Sequence, residues 1–213
     1  MTPEIDNVGA AIVKGVCNPE AEDLAVELGE FEIDSFLDEG VLKEIPVIKT
    51  IIACRKTWTA IQDQLFLRKV ANFLLACPKF TEAEKENFLN KHLNDPKSAK
   101  NLGNTVVLIL NKFDDFEKPA MLAKMFAAQV RGRINYADFR RLGAAIDSAF
   151  VDDLKKILIL PADFKKHSEK FLEVLLPSGL AIVQGGETRL GAIGYSVYLS
   201  ELGRLFQKCM AEQ

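Results

Sequence analysis

The residues able to do chemistry are few, and their spacing argues against most reactions. His92 and His167 stand 75 positions apart with no ligand partner at metal-binding spacing, and neither lies in an HExxH context. Cys17, Cys54, Cys77 and Cys209 form no CxxC pair and read as reduced core thiols of a cytoplasmic protein. Asp114-Asp115 and Asp152-Asp153 are adjacent acids near expected helix starts. Side by side they suit capping; acid–base work requires carboxylates that converge on one substrate.

Two further motifs fail on inspection. Gly132-Arg133-Ile134 followed by Asp138-Phe139 imitates the back half of a calcium loop, but that alignment puts Ala127, Gln129 and Arg131 where the first oxygen ligands belong. A plain helix–loop–helix joint is expected there. Gly185-Gly186 lies in no GxxxxGK[ST] or GxGxxG frame leading into a helix, so it is no phosphate loop. The expectation is no catalytic residue, no metal and no cofactor.

One basic group remains. Lys165, Lys166, His167 and Lys170 fall in the first two turns of a helix expected from Asp163 to Leu176, with Arg189 further on in a turn. A helix start with this composition suits contact with phosphates and base edges. The local charge count opposes it. Between Val151 and Arg189 six bases meet six acids, and phosphate neutralisation supplies much of the affinity for DNA.

The elements that would position this group follow in a definite order. Asp163 can cap the helix, Phe164, Phe171, Val174 and Leu175 fall on one apolar face, and Gly179 supplies a left-handed stop. Leu180 to Val183 and Tyr195 to Leu199 read as two strands around a loosened, glycine-containing tip, and Ser200 can cap a last helix through Met210. Helix, hairpin and helix in this order resemble the second half of a winged helix-turn-helix.

Ahead of it the signals are helical. Thr2-Pro3-Glu4 opens a helix carrying Ile5, Val8, Ile12 and Val16. From Pro19 to Glu44 ten acids face one lysine, whereas from Ile45 to Lys79 six bases face one acid. Neighbours of opposite sign should attract. Pro46 to Ala76 is an apolar spine of one long helix or two, containing the sole tryptophan, Trp58, as a packing residue. Thr81-x-x-Glu84 is a capping box, and Ser98 starts a helix in which Leu102, Val106, Ile109, Leu110 and Phe113 follow the helical period while Val107 and Leu108 fill the opposite face, with a strand the alternative for the β-branched run Thr105-Val106-Val107. A helix apolar nearly all round should sit at the centre of the bundle. Met121 to Val130 and a helix begun by Asn135, carrying Phe139, Leu142, Ile146 and Phe150 inward, complete the front.

These signals predict a mainly α protein, with a helical bundle over residues 1–134 and a winged-helix-like unit with a small β-hairpin over 135–213. The chain of 213 residues is long enough for a core without staples, and its net charge of −3 favours no polyanion as a partner. Lys49, Arg55 and Lys56 break the most apolar stretch, so no membrane span is expected.

The segments LKEIPVIKTIIACRKTWTAIQDQLFLRKVANFL, NKFDDFEKPAMLAKMFAAQVRGRINYADFRRL and YSVYLSELG resemble a group of uncharacterised bacterial proteins with a helical front and a winged-helix-like tail, frequent near prophages and mobile elements. The resemblance implies a role in phage defence or mobile-element control and brings no site residues. The function expected is a non-enzymatic interaction or regulatory module with a protein partner, able to self-associate. The alternatives are a DNA-binding regulator using Lys165, Lys166, His167, Lys170 and Arg189, and a peripheral membrane effector exposing the 45–75 spine.

Overall fold

Thr81 and Glu84 show how closely local signals set the helix ends. The Thr81 amide donates to Glu84 Oε2 at 2.8 Å and the Glu84 amide donates to Thr81 Oγ1 at 3.2 Å, the reciprocal capping expected of the box. A computed structural model gives the architecture, and it describes residues 3–16, 46–54, 61–93, 96–160, 170–187 and 193–211. Trp58, the 19–44 acidic segment, Lys165, Lys166, His167 and Arg189 lie outside the described residues.

The described elements in order are α1 (Pro3–Val16), α2 (Pro46–Cys54), α3 (Ile61–Ala76), α4 (Glu82–Leu93), α5 (Pro96–Lys112), α6 (Lys118–Val130), α7 (Tyr136–Ser148), α8 (Val151–Leu158), a 3-10 helix (Lys170–Leu175), β1 (Ala181–Glu187), β2 (Ile193–Leu199) and α9 (Glu201–Ala211). The protein is mainly helical, with one small antiparallel hairpin near the C-terminus among the described residues. No described helix is long and apolar enough to cross a membrane.

The centre of the bundle is α6, not α5 as the apolar run at Val106–Leu110 suggests. Leu108 is 44% exposed, so one side of α5 meets solvent. By contrast α6 is buried at most of its positions and packs against α3, α4, α7 and α9. Its alanines at 123, 127 and 128 allow neighbours to approach from several sides. Phe126 is the hub. Its ring meets Phe73, Phe88 and Phe139 edge-on at centroid distances of 5.6, 6.0 and 6.2 Å, tying α3, α4 and α7 to α6.

The spine divides into α2 and α3, whose Val47, Ile48, Ile51, Phe66, Val70 and Phe73 point inward. On the other flank α1 lies against α5 at a crossing of glycines. A Cβ at Gly9 would stand 2.7 Å from the Asn104 amide nitrogen, and one at Gly103 would strike the Gly9 carbonyl.

Helix α6 ends as its sequence requires. Gly132 takes φ +71°, the Gly132 amide donates to Gln129 O and the Arg133 amide to Ala128 O, which closes the last turn. Asn135 Oδ1 then accepts from the Asp138 amide at 2.9 Å and starts α7. This is the helix–loop–helix joint expected from Gly132-Arg133-Ile134. Phe150, assigned inward on α7, is instead almost fully exposed, because α7 stops at Ser148 and Val151 takes the inward position.

The helix expected from Asp163 to Leu176 is described only from Lys170, and there it is a 3-10 turn. At three residues per turn Leu172 and Leu175 align inward, whereas Val174, read as an apolar-face residue, is exposed. Gly179 has φ +75° as expected. The hairpin then pairs Ala181 with Leu199 through Glu187 with Ile193, and both strands reach further toward the tip than the apolar run implied. The amides of Ser200 and Gly203 bind Leu180 O at 2.8 Å and Ser200 Oγ at 3.0 Å, and these bonds tie the hairpin base to the capped start of α9.

Candidate docking surface on the C-terminal hairpin

The strand register divides the hairpin into two faces. Ile182 and Gln184 share one with Tyr198 and Ser196; Ala181, Val183 and Gly185 share the other with Leu199, Val197 and Tyr195. At the base the second face is core, with Ala181, Val197 and Leu199 buried. Further out it emerges into solvent, where Val183 is 47% and Tyr195 69% exposed. Ile182, 48% exposed, does the same on the opposite face.

The first face also forms one wall of a cleft of about 540 Å³, with Ile182, Gln184 and Tyr198 on the strands opposite Leu202, Arg204 and Gln207 on α9. Two of its polar side chains, Arg204 and Gln207, also hold the unit together. Arg204 Nη1 donates to Leu199 O at 2.7 Å, and Gln207 Nε2 donates to Ile157 O and Leu160 O at 2.9 and 2.7 Å, satisfying the end of α8. The cleft therefore mixes the apolar Ile182 and Leu202 with polar side chains such as Gln184 and Glu201, on a frame held by hydrogen bonds. Such an arrangement suits contact with another macromolecule's apolar side chains or strand.

Of the five residues expected to touch nucleic acid, only Lys170 falls among the described ones. The backbone of Lys170 opens the 3-10 helix, while Lys165, Lys166, His167 and Arg189 lie outside the described residues. Of the residues weighed for chemistry, His92 is on α4, Cys77 is half-buried and Cys209 is buried on α9. Among the described residues no group of three or more His, Cys, Asp or Glu could hold a metal ion.

The paired acids are used for local structure. Asp114 Oδ1 receives the buried Lys118 ammonium at 2.6 Å, Asp115 Oδ1 accepts from the Glu117 amide at 2.7 Å, and Asp153 Oδ1 receives Lys156 at 2.8 Å. The Lys118 hydrogen bond holds the Asp114 carboxyl below its ordinary range. Lys69 is a titratable group the sequence did not single out. Its ammonium donates to Phe113 O at 2.5 Å, and burial pushes its pKa down against the opposing pull of Asp114 and Asp147.

Sequence reasoning read Ile182 and Val183 as strand residues and missed their exposure. The available signal was the lack of alternation: apolar side chains at two successive positions must occupy both faces, and a two-stranded ribbon cannot cover both. Comparison with protein-family models, with curated proteins and with solved structures returns no match.

Proposed function

We propose that the chain is a non-enzymatic interaction or regulatory protein of a bacterial cell whose C-terminal unit, winged-helix-like in element order, docks a protein partner through the hairpin. The observation that carries this reading is the exposure of Ile182, Val183 and Tyr195 on a hairpin whose strands are uncharged from Ala181 to Gly186 and from Ile193 to Leu199. Large apolar side chains grouped on one small projecting element mark contact surfaces, whereas scattered ones do not. The resemblance noted in the sequence associates such a module with phage defence or mobile-element control.

The test is affinity capture from a bacterial lysate with the full chain as bait, repeated with Ile182→Ser, Val183→Ser and Tyr195→Ser. A specific protein retained by the wild-type chain and lost from the three variants supports docking. A low-salt gel shift abolished by Lys165→Ala, Lys166→Ala, Lys170→Ala and Arg189→Ala would instead move the reading to a DNA-binding regulator.

A further inference from the structure

Among the described residues no strand pairs with the outer edge of β1, and we propose that it pairs antiparallel with β1 of a second copy about a two-fold axis at Gln184, joining two hairpins into a four-stranded sheet. This inference rests on the reading of the hairpin as a docking surface and names its occupant.

The two strands are unequally covered. Ile182, Val183, Gln184 and Gly185 are all exposed, although successive residues point to opposite faces; on β2 the corresponding stretch alternates between buried and half-buried beyond Tyr195. Among the described residues β1 is therefore the less covered strand of the ribbon. Sheets in soluble proteins protect such an edge with charge, proline or a bulge. From Ala181 to Gly186 strand β1 has none of these, and its register with β2 runs unbroken.

The strand's own pattern favours a second copy over a foreign strand. Apolar bulk is confined to its first half, Ile182 and Val183, and absent from its second, Gly185, Gly186 and Glu187. With seven residues centred on Gln184, a two-fold antiparallel pairing sets each Ile182 opposite Gly186 and each Val183 opposite Gly185 of the other copy. Glu187 falls opposite Ala181, so no like charges meet. Gly185 adds an independent sign. A Cβ built there meets nothing within 4 Å, and its φ is not in the left-handed region, so neither packing nor backbone conformation within the molecule calls for glycine. A glycine inside a strand commonly marks close approach by another backbone.

The experiment is sedimentation equilibrium of the full chain over a wide concentration range, with Val183→Lys and Gln184→Lys as edge-guarding variants. Oxidative cross-linking of Gln184→Cys is compared with Tyr195→Cys on the opposite strand. The expected result is a wild-type dimer, loss of that dimer in both lysine variants with unchanged far-UV circular dichroism, and an intermolecular disulfide at position 184 but not at 195, identified by peptide mass spectrometry. A strand pair on a two-fold axis brings the two position-184 Cα atoms within disulfide reach. A wild-type chain that stays monomeric, or a dimer that persists in both lysine variants without the position-184 link, overturns the proposal. A monomer that still captures a host protein through Ile182, Val183 and Tyr195 overturns self-pairing and leaves docking standing.

Discussion

Arg131, the C-cap of α6, places its Nε 3.0 Å from Oε1 of Glu84 in the first turn of α4, and its guanidinium lies 5.7 Å from the Phe80 ring centroid. One side chain thus joins the end of the central helix to the start of another. Glu84 meanwhile accepts the Thr81 amide with its second oxygen.

That double engagement makes stability depend on pH. The Thr81 amide foremost, then the Thr81 hydroxyl and Arg131, hold the Glu84 carboxyl below its ordinary value of 4.5 despite partial burial. A depressed folded-state pKa means the contribution is fully present above the unfolded value and is lost as pH falls through the folded one. Glu84→Gln keeps the box geometry and removes the charge, so it should cost about 0.5–1 kcal/mol at neutral pH. Urea melts of both proteins should converge as the pH is lowered below 4.5. A gap that persists into strong acid would show the charge to be irrelevant.

The glycine crossing of α1 and α5 reverses an ordinary expectation. Gly→Ala inside a helix normally adds up to about 1 kcal/mol of stability through propensity. At Gly103 the added methyl would strike the Gly9 carbonyl, backbone that cannot rotate away. Gly103→Ala should therefore destabilise by a net of about 1–3 kcal/mol, the scale of overpacking, in thermal or denaturant melts.

Phe126 is the side chain on which α3, α4 and α7 converge, and it is fully buried. Phe126→Ala should cost about 3–5 kcal/mol, whereas Phe126→Leu, which keeps most of the volume, should cost roughly half of that. Equal losses from both would mean that ring geometry outweighs filled volume.

Much of this arrangement is legible in the residues because its determinants are local. Thr81 and Glu84, Asn135, Ser200, Gly132 and Gly179 each act within one turn, and each performs the capping or stop that its type and spacing announce. What depends on distant neighbours is not legible. Val106 to Leu110 is as apolar as a central helix requires, yet it is α6 that takes the centre, with Phe126 packed among Phe73, Phe88 and Phe139 from three other helices and its alanines at 123, 127 and 128 buried. The phase of residues 170–175 also escapes a helical reading, since apolar residues at 171, 172, 174 and 175 satisfy either 3.6 or 3.0 residues per turn. At the hairpin, strand character could be read from composition, but exposure of Ile182 and Val183 follows from a sheet that has two strands among the described residues.

The hairpin surface and the core should separate experimentally. Ile182 and Val183 are nearly half exposed and Tyr195 more than half, so their apolar atoms contribute little to folding, and each serine variant should stay within about 0.5–1 kcal/mol of wild type. Association should respond in the opposite way, because residues at the middle of a contact surface dominate its energy and Tyr is prominent among them. Tyr195→Ser should then weaken partner capture by tenfold or more, about 1.4 kcal/mol, with an unchanged melting temperature. A variant that melts early and binds normally would place Tyr195 in the fold and remove it from the docking surface.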